Sequence, residues 1–190
     1  MQPNEIPSFG QADPTDSREP GNWMSRYSNS EAKKAIRFEF IYLISLFIIA
    51  PAVILILWLE LPKGWFNIPE EKFYSLFKYG LAWAAGTMGG TLFDIKWFYH
   101  VIARNIWNMD RRYWRILTPH ISGCLAFSMT VLITSGVIKI FDSDSMNNHA
   151  MLVGFGFLVG YFSDSAIAKL HEIAETLFGT SRSKEKHKDS

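Results

Sequence analysis

This sequence predicts an all-α, polytopic integral membrane architecture with four transmembrane helices, an interfacial amphipathic segment and a cytoplasmic C-terminal helix. Three observations predict it: one long uninterrupted apolar run, two further stretches with glycines at helix-packing spacing, and a lopsided distribution of Lys and Arg. Averages alone would not suggest it, since 48% hydrophobic residues and a net charge of +1 also fit an ordinary globular domain. Position decides, because a hydrocarbon layer about 30 Å thick takes roughly 20 consecutive apolar residues to cross as a helix.

The chain opens on a flexible arm, residues 1–30, in which Pro3, Pro7, Pro14 and Pro20 sit among Ser, Asn, Asp and Gly. Such a composition buries too little apolar area to offset ordering. Ser30 is placed to cap the first helix. The run from Phe38 to Leu59, FEFIYLISLFIIAPAVILILWL, is the first span; Glu39 is its one charge, and Pro51 predicts a kink. The stretch ELPKGWFNIPEEK then reads as a short interfacial loop. A second span is expected from about Phe73 to Phe93, where Gly86 and Gly90 form a small-xxx-small pair that lets another helix approach closely.

The third span is expected at about 116–140. The fourth starts near His149, where the strictly apolar part ends at Phe162, too short to cross alone. One helix is therefore predicted to continue past Ser163 and Asp164, with Gly156 and Gly160 as its packing pair. The transmembrane domain with its helical extension covers 31–179, and 180–190 form a disordered charged tail.

Orientation follows from charge. Fifteen of the nineteen Lys and Arg residues fall before the first span, as far as Arg37, in the connection between spans two and three, or after Phe162. The other four flank the opposite loops. This positive-inside pattern predicts both termini on the cytoplasmic side.

Several residues carry candidate chemistry. Ser122, Ser128, Thr130, Thr134 and Ser135 lie among apolar residues of span three and either bond their own helix carbonyls or line a wet path. Asp142 and Asp144, at its outer end, would concentrate cations at a pore mouth in an oligomer. Asp164, just inside the cytoplasmic boundary, is a gating candidate or a paired interface carboxylate, with Lys169 or a hydroxyl as partner. Arg111, Arg112 and Arg115, interleaved with Trp107, Tyr113 and Trp114, suit anionic lipid headgroups or an anionic cytosolic ligand such as a nucleotide or oligonucleotide.

Other chemistry finds no support in the pattern. Cys124 is the single cysteine, so no intramolecular disulfide is available, and no Cys/His spacing suits zinc. No charged n-region meets an early apolar core, which predicts no cleavable signal peptide. His100 and His120 fall toward one membrane face and His149 toward the other, unsuited to a bis-His haem. Hydrolase and nucleotide-fold motifs are absent from the sequence, and neither enzyme activity nor a cofactor is expected.

The segments WNMDRRYWRILTPHISGCLAF (107–127) and GFLVGYFSDSAIAKLHEIAETLFG (156–179) together resemble a group of small bacterial inner-membrane proteins that look like membrane components of anti-phage defence systems. The resemblance implies an effector that lets ions cross the inner membrane once triggered. Such effectors are homo-oligomers controlled by a cytosolic sensor protein, often through a nucleotide signal. A homo-oligomeric ion channel or pore is therefore the expectation, with a non-conducting anchor that recruits a cytosolic partner as the alternative.

Overall fold

The computed structural model describes residues 24–66, 69–139 and 143–179, and among them the chain is helical with no strand. The N-terminal arm as far as residue 23, Asp142 and the tail 180–190 lie outside the described residues, as does the side chain of Asp144. Helix α1 spans Ser30–Trp58 and runs through Pro51 without interruption. Its cap is Asn29 rather than Ser30: the Asn29 Oδ1 accepts the Glu31 N–H at 2.8 Å. The expected interfacial loop contains a short helix, α2, Leu61–Phe66, entered through Glu60 in the left-handed region at φ 53°.

Helix α3 is one continuous rod, Glu70–Ala103. At 1.5 Å per residue it is about 51 Å long, well beyond the thickness of a hydrocarbon layer. The stretch 93–115, expected as an interfacial amphipathic segment, is instead divided among the last turns of α3, a loop over 104–111 and the first turn of α4. Asn105, at φ 57°, helps end the rod. Helix α4, Arg112–Thr134, stops six residues short of the expected end, where Gly136 takes φ 77° and donates its N–H to the Ile133 carbonyl at 3.0 Å. A short 3-10 turn, Ser143–Asn147, leads into α5, His149–Tyr161, which Asn148 caps through its side chain.

Sequence predicted one helix through Ser163, and here the structure differs. The chain breaks at Phe162, and α6, Ser163–Phe178, leaves at 95° to α5. The new helix has Phe162 at its N-cap without a side-chain cap, and Asp164 in its first turn suits the helix dipole.

Helix α3 is the hub: α4 and α5 pack along it and on each other, while α1 lies on a further side of α3. Leu81, Ala82, Ala84 and Ala85 of α3 are almost wholly buried in that core with Ala126 and Ile133 of α4 and Leu152 of α5. Two helices, α1 and α4, are long and apolar enough to cross a membrane, and α5 with α6 passes the same test only as a broken pair.

Candidate functional site: charges buried at the α1, α3 and α4 seam

Three ionisable side chains are buried where α1, α3 and α4 meet. Glu39 of α1 is 1% exposed, Arg115 of α4 is 2% exposed and Asp94 of α3 is fully buried. Glu39 and Arg115 form a two-pronged pair: Arg115 Nε donates to Glu39 Oε2 at 2.9 Å and Nη2 donates to Oε1 at 3.1 Å. Trp107 adds a third donor, its Nε1–H reaching Glu39 Oε2 at 3.1 Å, and Arg115 Nη2 also meets the Asn108 carbonyl at 3.3 Å. Charge-assisted bonds in this fork geometry are what offsets the desolvation of two buried ions. The loop after α3 is thereby folded over the pair, and Tyr27 closes it edge-on against Trp107 at 6.1 Å.

Asp94 is different. Neither of its oxygens has a hydrogen-bond partner, although both are sealed from solvent. It lies within electrostatic range of Arg115 and Glu39, and Tyr42 lies within range of it. The Tyr42 hydroxyl donates to the Ile116 carbonyl at 2.8 Å and stands 2.9 Å from His120 Nε2, on an exposed histidine. Since the single Tyr42 proton goes to Ile116, His120 Nε2 is the donor to Tyr42 in this arrangement. One turn before Asp94, Gly90 faces Ser122, whose buried Oγ also lacks a partner. Buried polar atoms are nearly always satisfied, so orphaned oxygens on two facing helices mark a place built for something other than packing.

The glycines set how tightly this seam closes. A Cβ on Gly86 would strike Ala126 and the Ser122 carbonyl, and one on Gly90 would strike the Ser122 side chain. On the other side of α3, a Cβ on Gly156 would come within 2.8 Å of the Ala82 carbonyl, and one on Gly160 would land on the Gly86 backbone. Gly154 faces open space and takes no part. Gly86 thus meets α4 through one face and α5 through its own carbonyl.

The five hydroxyls expected to line a path, four in α4 and Ser135 at its C-cap, are not brought together. Ser122 and Thr130 are buried at the core side, with Thr130 bonded to its own helix at Ala126. Thr134 bonds the Val131 carbonyl and contacts the Tyr79 hydroxyl at 3.3 Å; Ser135 bonds the Leu132 carbonyl. Ser128 and Ser135 are exposed on a separate face with Ile121 and Phe127. For three of the five, bonding back to the helix is the arrangement found.

The arginine trio is divided too. Arg115 is consumed by Glu39, which removes it from any headgroup or ligand role. Arg112 lies over the Phe38 ring at 4.7 Å, and Arg111 is exposed beside Trp97 and Trp114. Asp164 is exposed in the first turn of α6, where a carboxylate suits the helix dipole, and Lys169 pairs with Glu172 at 2.7 Å instead. His149 packs on Phe77 and Trp58, at the opposite end of the bundle from His120.

Sequence reading missed Asp94, Tyr42 and the Glu39 partner. Asp94 had a signal: between Lys78 and Lys96 it is the only charged residue, yet ending the second span at Phe93 put it in a loop. Comparison with protein-family models, with curated proteins and with solved structures finds no match for this chain.

Proposed function

We propose that the chain is a four-span integral membrane protein, with α1, α3, α4 and the broken α5–α6 pair as its spans and both termini cytoplasmic, and that its copies assemble into a gated ion conductor. The observation that carries this reading is Asp94. An unpartnered carboxylate inside a membrane helix marks an ion or proton path by default, because burial there is costly without a compensating charge or donor. His120 and Tyr42 lead toward it from the surface. In the closed packing α4 seals Asp94 against α3, and the Glu39–Arg115 pair clamps α1 to α4. Opening draws α4 off the glycine seam, so that Asp94 and Ser122 meet the passage while the exposed α4 face with Ser128 and Ser135 meets neighbouring copies. The resemblance adds the setting: a bacterial inner membrane and a trigger supplied during phage infection, through a sensor protein or a nucleotide.

The test uses full-length protein in liposomes loaded with a cation-sensitive dye. Arg115→Gln loosens the clamp and raises cation or proton leak over wild type. Adding Asp94→Asn to that variant lowers the leak at least tenfold. A double variant that leaks as fast as Arg115→Gln would take Asp94 off the path.

A second reading, a non-conducting anchor, is favoured by α6, none of whose side chains is fully buried and whose Leu177 and Phe178 are exposed. On that reading no variant conducts, and removing α6 releases a cytosolic partner from the membrane.

A further inference from the structure

A second feature lies apart from the charge cluster. Lys96 and His100 in the last turns of α3 and Arg104 at its C-cap stand at spacings of four, which places them in one stripe along the helix. All three line a cleft of about 470 Å³ whose far wall is Tyr161 and Phe162, at the break between α5 and α6. Its volume falls within the range of roughly 300–1,000 Å³ usual for small-molecule sites. Trp97 also lines it, and Phe93 meets Tyr161 edge-on at 6.1 Å. No lining position is a carboxylate, and among the described residues neither Lys96 nor Arg104 has an acidic partner.

Cations near a helix C-terminus are ordinarily explained by the helix dipole. That accounts for the charge at Arg104 but not for a cavity between two helices, nor for the aromatic wall facing it. Positive charge on one side and aromatic rings on the other form a site for a molecule with an anionic head and a flat or apolar body. We propose that this cleft binds a phosphate ester of net negative charge that carries an apolar or aromatic group. That chemistry is shared by an anionic phospholipid and by a free nucleotide. Because its walls belong to α3 and to the α5–α6 break, an occupant holds those two elements together. The site replaces the expected Arg111, Arg112 and Arg115 trio, which the fold divides. It does not depend on conduction, and its test reads binding alone.

Full-length protein in mild detergent is titrated with fluorescent phosphatidylglycerol, with the matching phosphatidylcholine probe, and with ATP. Wild type is expected to bind at least one of the two phosphate probes, phosphatidylglycerol or ATP, at least tenfold more tightly than phosphatidylcholine. Lys96→Gln/His100→Gln/Arg104→Gln should lose about tenfold or more of that affinity, since Lys96 and Arg104 are the cations that face an anionic head. Arg111→Gln should leave it unchanged. Phosphatidylglycerol binding that ATP does not displace assigns a lipid headgroup; ATP binding that displaces the lipid assigns a soluble phosphate. The exposed single variant Arg104→Gln repeats the test should the triple variant unfold. Failure of both phosphate probes to bind, or equal binding to the folded triple variant, would overturn the proposal.

Discussion

Helices α1 and α3 differ in a way opposite to the rule for a protein in water. The most apolar stretch of α1 is only 17% buried, and Phe40, Ile41, Ile48, Ile49 and Leu55 are each more than half exposed. Helix α3, interrupted by Gly, Thr, Tyr and Asp, holds the centre and buries Thr87, Thr91 and Asp94. A water-soluble bundle would exchange these roles, because burying apolar surface drives its folding. In lipid no such gain separates the two sites. On the proposed membrane reading, small residues then win the helix contacts by letting backbones approach, and the apolar helix is the one that would face hydrocarbon.

The largest expected effect breaks the ion pair that ties α1 to α4. Arg115→Ala leaves Glu39 buried without its counter-ion and should cost about 3–5 kcal/mol, read as thermal unfolding in detergent. The exchanged pair Glu39→Arg/Arg115→Glu should recover part of that loss. A melting point unmoved by Arg115→Ala would mean that the pair holds nothing together.

Next comes the small-residue seam of α3. Gly160→Leu pushes a side chain into the Gly86 backbone and should lower stability by at least the roughly 1–3 kcal/mol typical of overpacking. Gly154→Leu, facing open space, should change it by no more than about 0.5 kcal/mol. Equal effects at the two positions would dissolve the distinction between a packed face and a lipid face of α5.

The exposed surface of α1 gives a comparable but opposite contrast. Ile48→Lys places a charge at mid-helix and should cost about 2.5–3.5 kcal/mol of insertion, seen as a lower membrane-bound fraction. Were α1 in water, the same change would improve solubility.

The smallest expected effect is on stability at Asp94. Asp94→Asn removes a carboxylate that has no partner, so melting should stay within about 1 kcal/mol of wild type or rise. A large loss of stability would reveal a partner for Asp94 in the folded protein.

Legibility in the sequence followed the same divide. Helices α1 and α4 were readable because a helix long and apolar enough to cross a membrane advertises itself by an apolar run. Helix α3 was readable only through Gly86 and Gly90, and its full length was hidden because the polar end after Asp94 resembles a loop when judged by hydropathy. The α5–α6 break had a local signal in Ser163, Asp164 and Ser165, overruled by the demand for a full-length span. The Glu39–Arg115 pair joins residues 76 positions apart, and nothing local to either names the other. Treating Glu39 as a charge in need of a partner would have narrowed the search to the few arginines near the same membrane face.

The central claim is that α1 lies in hydrocarbon. A nitroxide attached at Ile48→Cys, in a chain with Cys124→Ser and reconstituted into bilayers, reports it by paramagnetic resonance. High collision with oxygen and little with a water-soluble nickel chelate is the result expected of a lipid-facing position. Ready access to the nickel chelate would put α1 in water and contradict the account.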